Sequence, residues 1–485
     1  MRKLLLCAAA LLACGVGPAQ AADLRDAWLA ARQQHPGMAA AAAERAAGNA
    51  RRLQADRVWN PTVAAQASAG AMGSRTSAQG AAFSLPGSAP VAGVGFETSM
   101  HSGPGTRWGV DARMPLYSPE RSAQERQLRL SADLSELQAA SLQQQLMLQT
   151  AERYFAAVLA EQQHALLVRQ QQATDRALQE ARDRFTAGDT PITDVREAQA
   201  HALATAAQAE AASVDLQIAR RALAQTTGWD PAAPQVLRPP APVGGNTEAL
   251  GAAAALGPVT SWLEGAAQEN LQLRTQAQLV AVAAQEAAKA TQGASTKVDL
   301  VGQAGGEHLS GAGRWGSASN AARQFMVGVQ IQVPLYTGGQ QDARAQELLR
   351  LQDKAQANLD SARLEVTQQV HATWLQLQAG VARARALEAA LTAAQARLDA
   401  TQLGRQVGDR TTLELLRATN DALQAESQLL AHRARMAQAR LQLLALAGRL
   451  DDAALQAATD AGTPAPSAPS APSAPSAPLS LQPSS

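Results

Sequence analysis

Apolar and polar residues alternate along one short run, Gln324-Phe325-Met326-Val327-Gly328-Val329-Gln330-Ile331-Gln332-Val333. The odd positions are apolar and the even ones are mostly Gln or Gly, which is the period-two pattern of a strand with one apolar and one wet face. Pro334 ends the run, and Thr337-Gly338-Gly339 leads into a long helical pattern. The same join occurs earlier, where Trp108 to Tyr117 is followed by Ser118-Pro119 and another long helix.

Taken in order, the pattern predicts a helix from Asp23 to about Val58 and a strand from Thr62 to about Ala71. A long Gly/Ser/Pro loop follows, then a strand from about Thr106 to Leu116. Glu120 to about Ala187 reads as one long helix, broken at Gly188-Asp189-Thr190-Pro191; a return helix then runs to Gly228. Pro is well placed to open that return helix. Residues 230–258 form a Pro/Gly-rich linker. The plan then repeats: a helix over Thr260–Gln292, a strand from Lys297 to about Gln303, and a Gly-rich loop over Ala304–Ala322. The strand Gln324–Leu335, a long helix Gln340–Leu403, a turn at Gly408-Asp409-Arg410 and a return helix Thr411–Ala447 complete it. Tyr117 and Tyr336 lie 219 residues apart, and Gly188/Gly408 and Gly228/Gly448 each lie 220 apart. This is an internal duplication, of residues 22–229 and 259–450. Residues 451–485, with Pro-Ser-Ala repeats, have too little apolar surface to fold and read as a disordered tail.

Each long helix measures about 105 Å at 1.5 Å per residue. The two shorter helices of each repeat sum to nearly the same length, so they can stack end to end beside it. Four strands per chain are too few to close a barrel. Two copies give eight strands and a filled interior, whereas three give twelve and room for a lumen. In that arrangement Gln324, Gln330 and Gln332 face water, and Phe325, Val327, Val329, Ile331 and Val333 face lipid. The alternative is a soluble sandwich hairpin with one exposed face.

Composition narrows this. Aromatic residues are 3% of the 485, few for wide globular cores, while Ala-rich helices suit close helix packing. A formal charge of +1 gives no electrostatic footprint for nucleic acid. Residues 1–21 read as a secretory signal: Arg2 and Lys3, then an apolar stretch from Leu4 to Val16, then Ala19-Gln20-Ala21 for cleavage. Its removal takes both cysteines, Cys7 and Cys14, and leaves 40 basic against 41 acidic residues. Leu11-Leu12-Ala13-Cys14 also resembles a lipobox, which keeps a lipidated Cys14 open. No later apolar run reaches the roughly 20 residues of a membrane helix, so a spanning form has to be a barrel.

At Val333–Gly339, Phe185–Val195 and Val407–Leu416 the sequence resembles the TolC-like outer-membrane channel proteins, over about Asp23 to Leu450. The resemblance implies an α+β membrane protein: a homotrimer with a twelve-stranded β-barrel in outer-membrane lipid, continued by a coiled-coil α-helical tunnel through the periplasm. It implies a passive export channel for a type I secreted protein or small toxic compounds. Its partners are then a periplasmic membrane-fusion adaptor and an inner-membrane transporter, ABC or proton-driven. No enzyme activity and no cofactor is implied. A structural periplasmic coiled-coil protein without a pore is the other class.

Carried over by the resemblance, the turn residues Gly188, Asp189, Thr190, Val407, Gly408 and Asp409 meet the adaptor at the periplasmic tip. Asp194 and Arg410 match an acidic and a basic gating position, and Glu414 matches one of two acidic residues at the entrance. The second acidic position is Arg417 here, and the gating tyrosine is replaced by Arg405. Helix capping also accounts for Thr411-x-x-Glu414 and for Asp194 in a first helical turn. Gly311-Ala312-Gly313-Arg314-Trp315-Gly316 spells G-x-G-x-x-G but lacks the strand-to-helix setting of a nucleotide site. The seven histidines show no metal-ligand spacing. Tyr117, Tyr336, Trp108 and Trp315 are candidate membrane-interface anchors.

Overall fold

In the computed structural model, residues 22–84, 86–232, 237–240, 256–313, 316–407 and 409–459 are described. The signal-peptide and lipobox readings, Gly408, the Arg314-Trp315 pair, much of the linker and the tail from residue 460 lie outside them. The elements run α1 (Leu24–Gln34), α2 (Pro36–Asp56), β1 (Thr62–Phe83), β2 (Val91–Tyr117), α3 (Pro119–Thr186) and α4 (Ile192–Thr227) in the first repeat. The second has α5 (Val259–Glu269), α6 (Leu271–Thr291), β3 (Lys297–Gly313), β4 (Gly316–Gln332), α7 (Gln340–Gln406) and α8 (Thr412–Leu446), followed by α9 (Asp452–Thr459). The duplication is thus drawn element for element.

Three expectations need correction. The stretches read as long loops are strand: β1 continues to Phe83, β2 begins at Val91, and Ala304–Ala322 is taken up by the end of β3, to Gly313, and the start of β4, from Gly316. Gly, Ser and Ala give a weak side-chain signal for strand, yet in antiparallel ribbons the backbone supplies the pairing. The leading helix of each repeat is two helices. Pro36 has no N–H to continue α1, and Asn270 caps α6 by accepting from the Leu273 N–H at 3.1 Å. Lastly, the chain stays helical past residue 451, because Leu455 of α9 is fully buried.

The chain divides into two compact units, each drawing on both repeats. One comprises Ala43–Leu137 and Thr275–Ser361; the other comprises the chain up to Ala42, Gln138–Arg274 and the chain from Ala362.

The first of these carries the sheet, antiparallel in the order β1-β2-β3-β4, so that β1 and β4 each have one unpaired edge. Residues directly opposite share a face. Phe325, Val327, Val329 and Ile331 stand opposite Ala304, Gly302, Leu300 and Val298. The same face continues through Val110, Ala112 and Met114 to Ala65 and Val63. Over these rows it is apolar and uncovered, with Phe325 88% and Ile331 65% exposed. Below the strands, α2 is tied to α3 by ion pairs of Arg52 with Asp133 and Glu136, at 2.9 and 2.7 Å.

The other unit is built on helix seams. Along α4 the buried positions Val195, Ala198, Ala202, Thr205, Ala209, Ala212 and Leu216 alternate spacings of three and four, a heptad seam whose small residues permit close approach. Two apolar clusters hold the rest. One gathers Trp28, Tyr154, Phe155 and Leu441; the other gathers Val366, Val370 and Leu443. Trp28 donates to Asp452 at 2.9 Å, which ties α9 to α1. The buried Tyr154 hydroxyl lies 2.8 Å from the Ala22 carbonyl and 3.0 Å from the Arg238 carbonyl, and it accepts from the Arg238 N–H at 2.9 Å. Burial pushes this phenol well above its ordinary range. Among the described residues, no helix is long and apolar enough to cross a membrane.

Candidate functional site

The wet face of the sheet is set by the same register. Gln324 stands opposite Gly305, Gln330 opposite Asp299 and Gln332 opposite Lys297, so the three glutamines share a face with charged groups. On that face Arg107 bonds Glu307 at 2.7 Å, and Arg113 lies 3.9 Å from Asp299. A face with paired charges of both signs and amide side chains is suited to contact with water. Among the described residues no group of His, Cys, Asp and Glu is placed to hold a metal.

The two helical turns close alike. Asp189 N–H bonds the Arg184 carbonyl at 2.9 Å, and Asp409 N–H bonds the Gly404 carbonyl at 2.9 Å. Both are six-to-one closures that satisfy a helix's last carbonyls. Gly188 supplies the left-handed residue, φ 84°, which side chains rarely adopt. The Thr190 hydroxyl, next in the turn, is buried without a partner. Val407 is 75% exposed beside the second turn.

The charged residues beyond the turns are dispersed. Asp194 is exposed in the first turn of α4; its carboxylate accepts only a long 3.4 Å bond from Thr193 and makes no ion pair among the described residues. Arg410 bonds Glu414 at 3.1 Å. Glu414 also completes the capping box, accepting from the Thr411 N–H at 2.9 Å while Thr411 Oγ1 accepts from the Glu414 N–H at 3.2 Å. The Thr411 N–H, with Arg410 beside it, holds the Glu414 carboxyl below its ordinary value. Within one chain Asp194 and Arg410 are therefore not partners. Arg417 is exposed and has no ion-pair partner among the described residues, while Asp421, one turn on, is taken by Arg397 at 2.8 Å.

The pair that does join the two helical hairpins is Arg405 with Glu180, which Arg184 also reaches at 3.4 Å. Gln170–Asn420 at 3.0 Å and Arg169–Glu426 at 3.5 Å make two further links between α3 and α8. Sequence reasoning marked Arg405 and missed Glu180. The available signal was the Glu180/Arg184 spacing of four, which explains Glu180 locally and hides its distant partner.

Residues 29–229 and 262–449 match the family model described as outer membrane efflux protein. The outer membrane protein TolC of Vibrio cholerae is 28% identical over 60% of this chain and 65% of its own length. The alkaline protease secretion protein AprF of Pseudomonas aeruginosa is 27% identical over 66% of this chain and 65% of its own. The matches therefore span just under two thirds of these relatives. Among solved structures, the outer membrane protein VceC of Vibrio cholerae superposes with a TM-score of 0.66 over 88% of this chain and 96% of that one, at 17% identity. The outer-membrane channel OprN gives 0.67 over 88% and 89%, at 19% identity. At that identity the likeness shows the fold: four antiparallel strands and paired long helices of an outer-membrane channel chain.

Proposed function

We propose a function from one premise: the chain belongs to the outer membrane efflux protein family. It is the outer-membrane channel of a tripartite export system, a passive exit across periplasm and outer membrane, and not an enzyme. Three copies join β1 of one chain to β4 of the next, so that twelve strands close into a barrel and the helices continue as a periplasmic tunnel. The observation that carries this reading is the four-stranded sheet with two free edges and an uncovered apolar face. Unpaired edges and exposed apolar rows are unstable in water, and closure around a lumen in lipid removes both. Phe325 in β4 to Val333 just past its end spans about 26 Å of extended chain, of the order of the ~25 Å apolar band of such barrels.

The turns around Gly188 and Val407–Asp409 dock a periplasmic adaptor, which in turn contacts an inner-membrane transporter. Asp194, Arg405, Arg410, Glu414 and Arg417 form the periplasmic gate, with Asp194 and Arg410 pairing between chains. Cargo is a secreted protein or small toxic compounds; a protease secretion protein and an outer membrane efflux protein both stand among the similar proteins.

The test is edge pairing. Cleavage of residues 1–21 would leave a thiol-free background. Ala67→Cys is combined in turn with Phe325→Cys, Val327→Cys and Val329→Cys. Oxidation of outer-membrane fractions is expected to yield a covalent trimer for one of the three registers. Monomers alone, for all three, overturn the closure.

A further inference from the structure

Beneath β1, the end of α2 and the start of α3 flank an open cleft of about 480 Å³, within the usual range for small-ligand sites. Its polar lining includes two guanidinium groups, Arg57 and Arg121, and the amides of Gln54, Asn60 and Gln124, set among the apolar Leu53, Val58 and Leu128. No carboxylate lines it. That is unusual for this unit, where the neighbouring arginines are neutralised: Arg51 by Glu44, Arg52 by Asp133 and Glu136, Arg129 by Asp56 and Glu125. Arg57 is exposed and has no side-chain partner among the described residues. Arg121 spends one donor on the Val58 carbonyl at 2.7 Å, which holds the side chain in place and leaves the rest of its five N–H donors unspent.

The duplication supplies an internal control. The corresponding place in the second repeat, where the end of α6 and the start of α7 meet the start of α3, has Lys289 and Arg344, but Glu120 of α3 and Glu286 of α6 line the same cavity, which holds about 250 Å³. There the protein balances its own charge. In the first repeat it does not.

We propose that the Arg57/Arg121 cleft is a binding site for a tetrahedral oxyanion, a free phosphate or the phosphate of a lipid headgroup. Two guanidinium groups provide charge-assisted, fork-shaped donors to such a group, and the three amides provide neutral donors around it. Thr62, at the rim of the cleft, begins β1, so the site lies where the strands meet the helices and both sources of phosphate are within reach. The proposal does not depend on what the channel exports.

The test uses the purified full-length protein in detergent with inorganic phosphate as the probe, read by calorimetry and by 31P line broadening. Arg57→Gln is expected to weaken binding at least tenfold, Arg57→Lys to weaken it less, and Arg344→Gln to leave it unchanged. Circular dichroism checks that each variant keeps its helix content. Competition by dihexanoyl-phosphatidylglycerol supports the site with a headgroup as its source; binding of inorganic phosphate without such competition supports it with a soluble anion. Absence of phosphate binding by the unaltered protein, or equal loss in Arg57→Gln and Arg344→Gln, overturns it.

Discussion

Arg405 of α7 and Glu180 of α3 are ion-paired across the two helical hairpins, 225 residues apart in sequence and both partly buried. Because Arg184 also reaches Glu180, the carboxylate lies between two cations on different helices. As the proposed gate has it, this contact holds the hairpins of one chain together while Asp194 and Arg410 act between chains. Arg405→Ala and Glu180→Gln are each expected to raise closed-state conductance in planar bilayers severalfold, with the double variant no higher than the larger single one. Additive effects would show that the two side chains act separately. Asp194→Ala with Arg410→Ser is expected to raise conductance further; an unchanged value removes the inter-chain pair.

The Thr411/Glu414 capping box should make the start of α8 sensitive to acid. The folded carboxyl lies below its unfolded value. Its contribution is therefore fully present above about pH 4.3, the ordinary carboxylate value, and is lost as pH falls through the lowered folded value. The protection of the Glu414 and Leu415 amides against exchange, relative to their intrinsic rates, should fall on acidification below about pH 4, and Glu414→Gln should remove that dependence. Thr411→Ala should cost about 1 kcal/mol at neutral pH, read from the same amides.

The apolar face of the sheet gives a directional test. Val329→Lys is expected to abolish heat-resistant oligomers in outer-membrane fractions, since a lysine on the lipid face of a barrel costs roughly 2–4 kcal/mol at midplane and three copies multiply it. Gln330→Lys, one residue on and on the opposite face, should leave the oligomer intact. Equal damage from both would remove the assignment of faces.

Gly228, Gly448 and Gly188 share left-handed backbones, φ 73°, 68° and 84°, but have different surroundings. An alanine Cβ at Gly448 would stand 2.6 Å from the Glu269 carbonyl oxygen; at Gly228 it would meet the Gln34 side chain, which is free to swing away; at Gly188 it would meet nothing. Thermal melts should rank Gly448→Ala the most destabilising and Gly188→Ala the least, the last near the 1–2 kcal/mol of the backbone conformation alone.

Tyr154→Phe should cost about 1–3 kcal/mol, because the Ala22 and Arg238 carbonyls and the Arg238 N–H lose a buried partner. Limited proteolysis near Arg238 should quicken before global unfolding does.

How much the chain disclosed in advance depends on the range of the interaction. Alternation from Phe325 to Ile331, the turn at Gly188 and the box at Thr411 are local and stand as read, while the strand ends at Gln332, short of Leu335. The second half of each hairpin was hidden because Gly, Ser and Ala populate both loops and barrel strands, and nothing in Ala304–Gly313 marks its partner. The breaks at Pro36 and Asn270 were overlooked because the helical period resumes within a residue. Glu180 was out of reach: its tie to Arg405 is made by the packing of helices whose sequences contain no register for one another. The acid-free cleft at Arg57 was equally invisible, since it is defined by which carboxylates its neighbours have already taken.

Each compact unit takes its segments from both repeats: the sheet-bearing one joins Ala43–Leu137 to Thr275–Ser361, and the other joins chain before Ala42 to chain beyond Ala362. Translation delivers these pieces far apart in time. A ribosome that has finished the first repeat has made no domain able to fold alone, so the nascent protein crosses the inner membrane as an open coil with its apolar strands unsheltered. Chaperone protection of the strands must then last at least until Ser361 is made, and a chain truncated within the linker should be cleared by proteases rather than persist as half a channel.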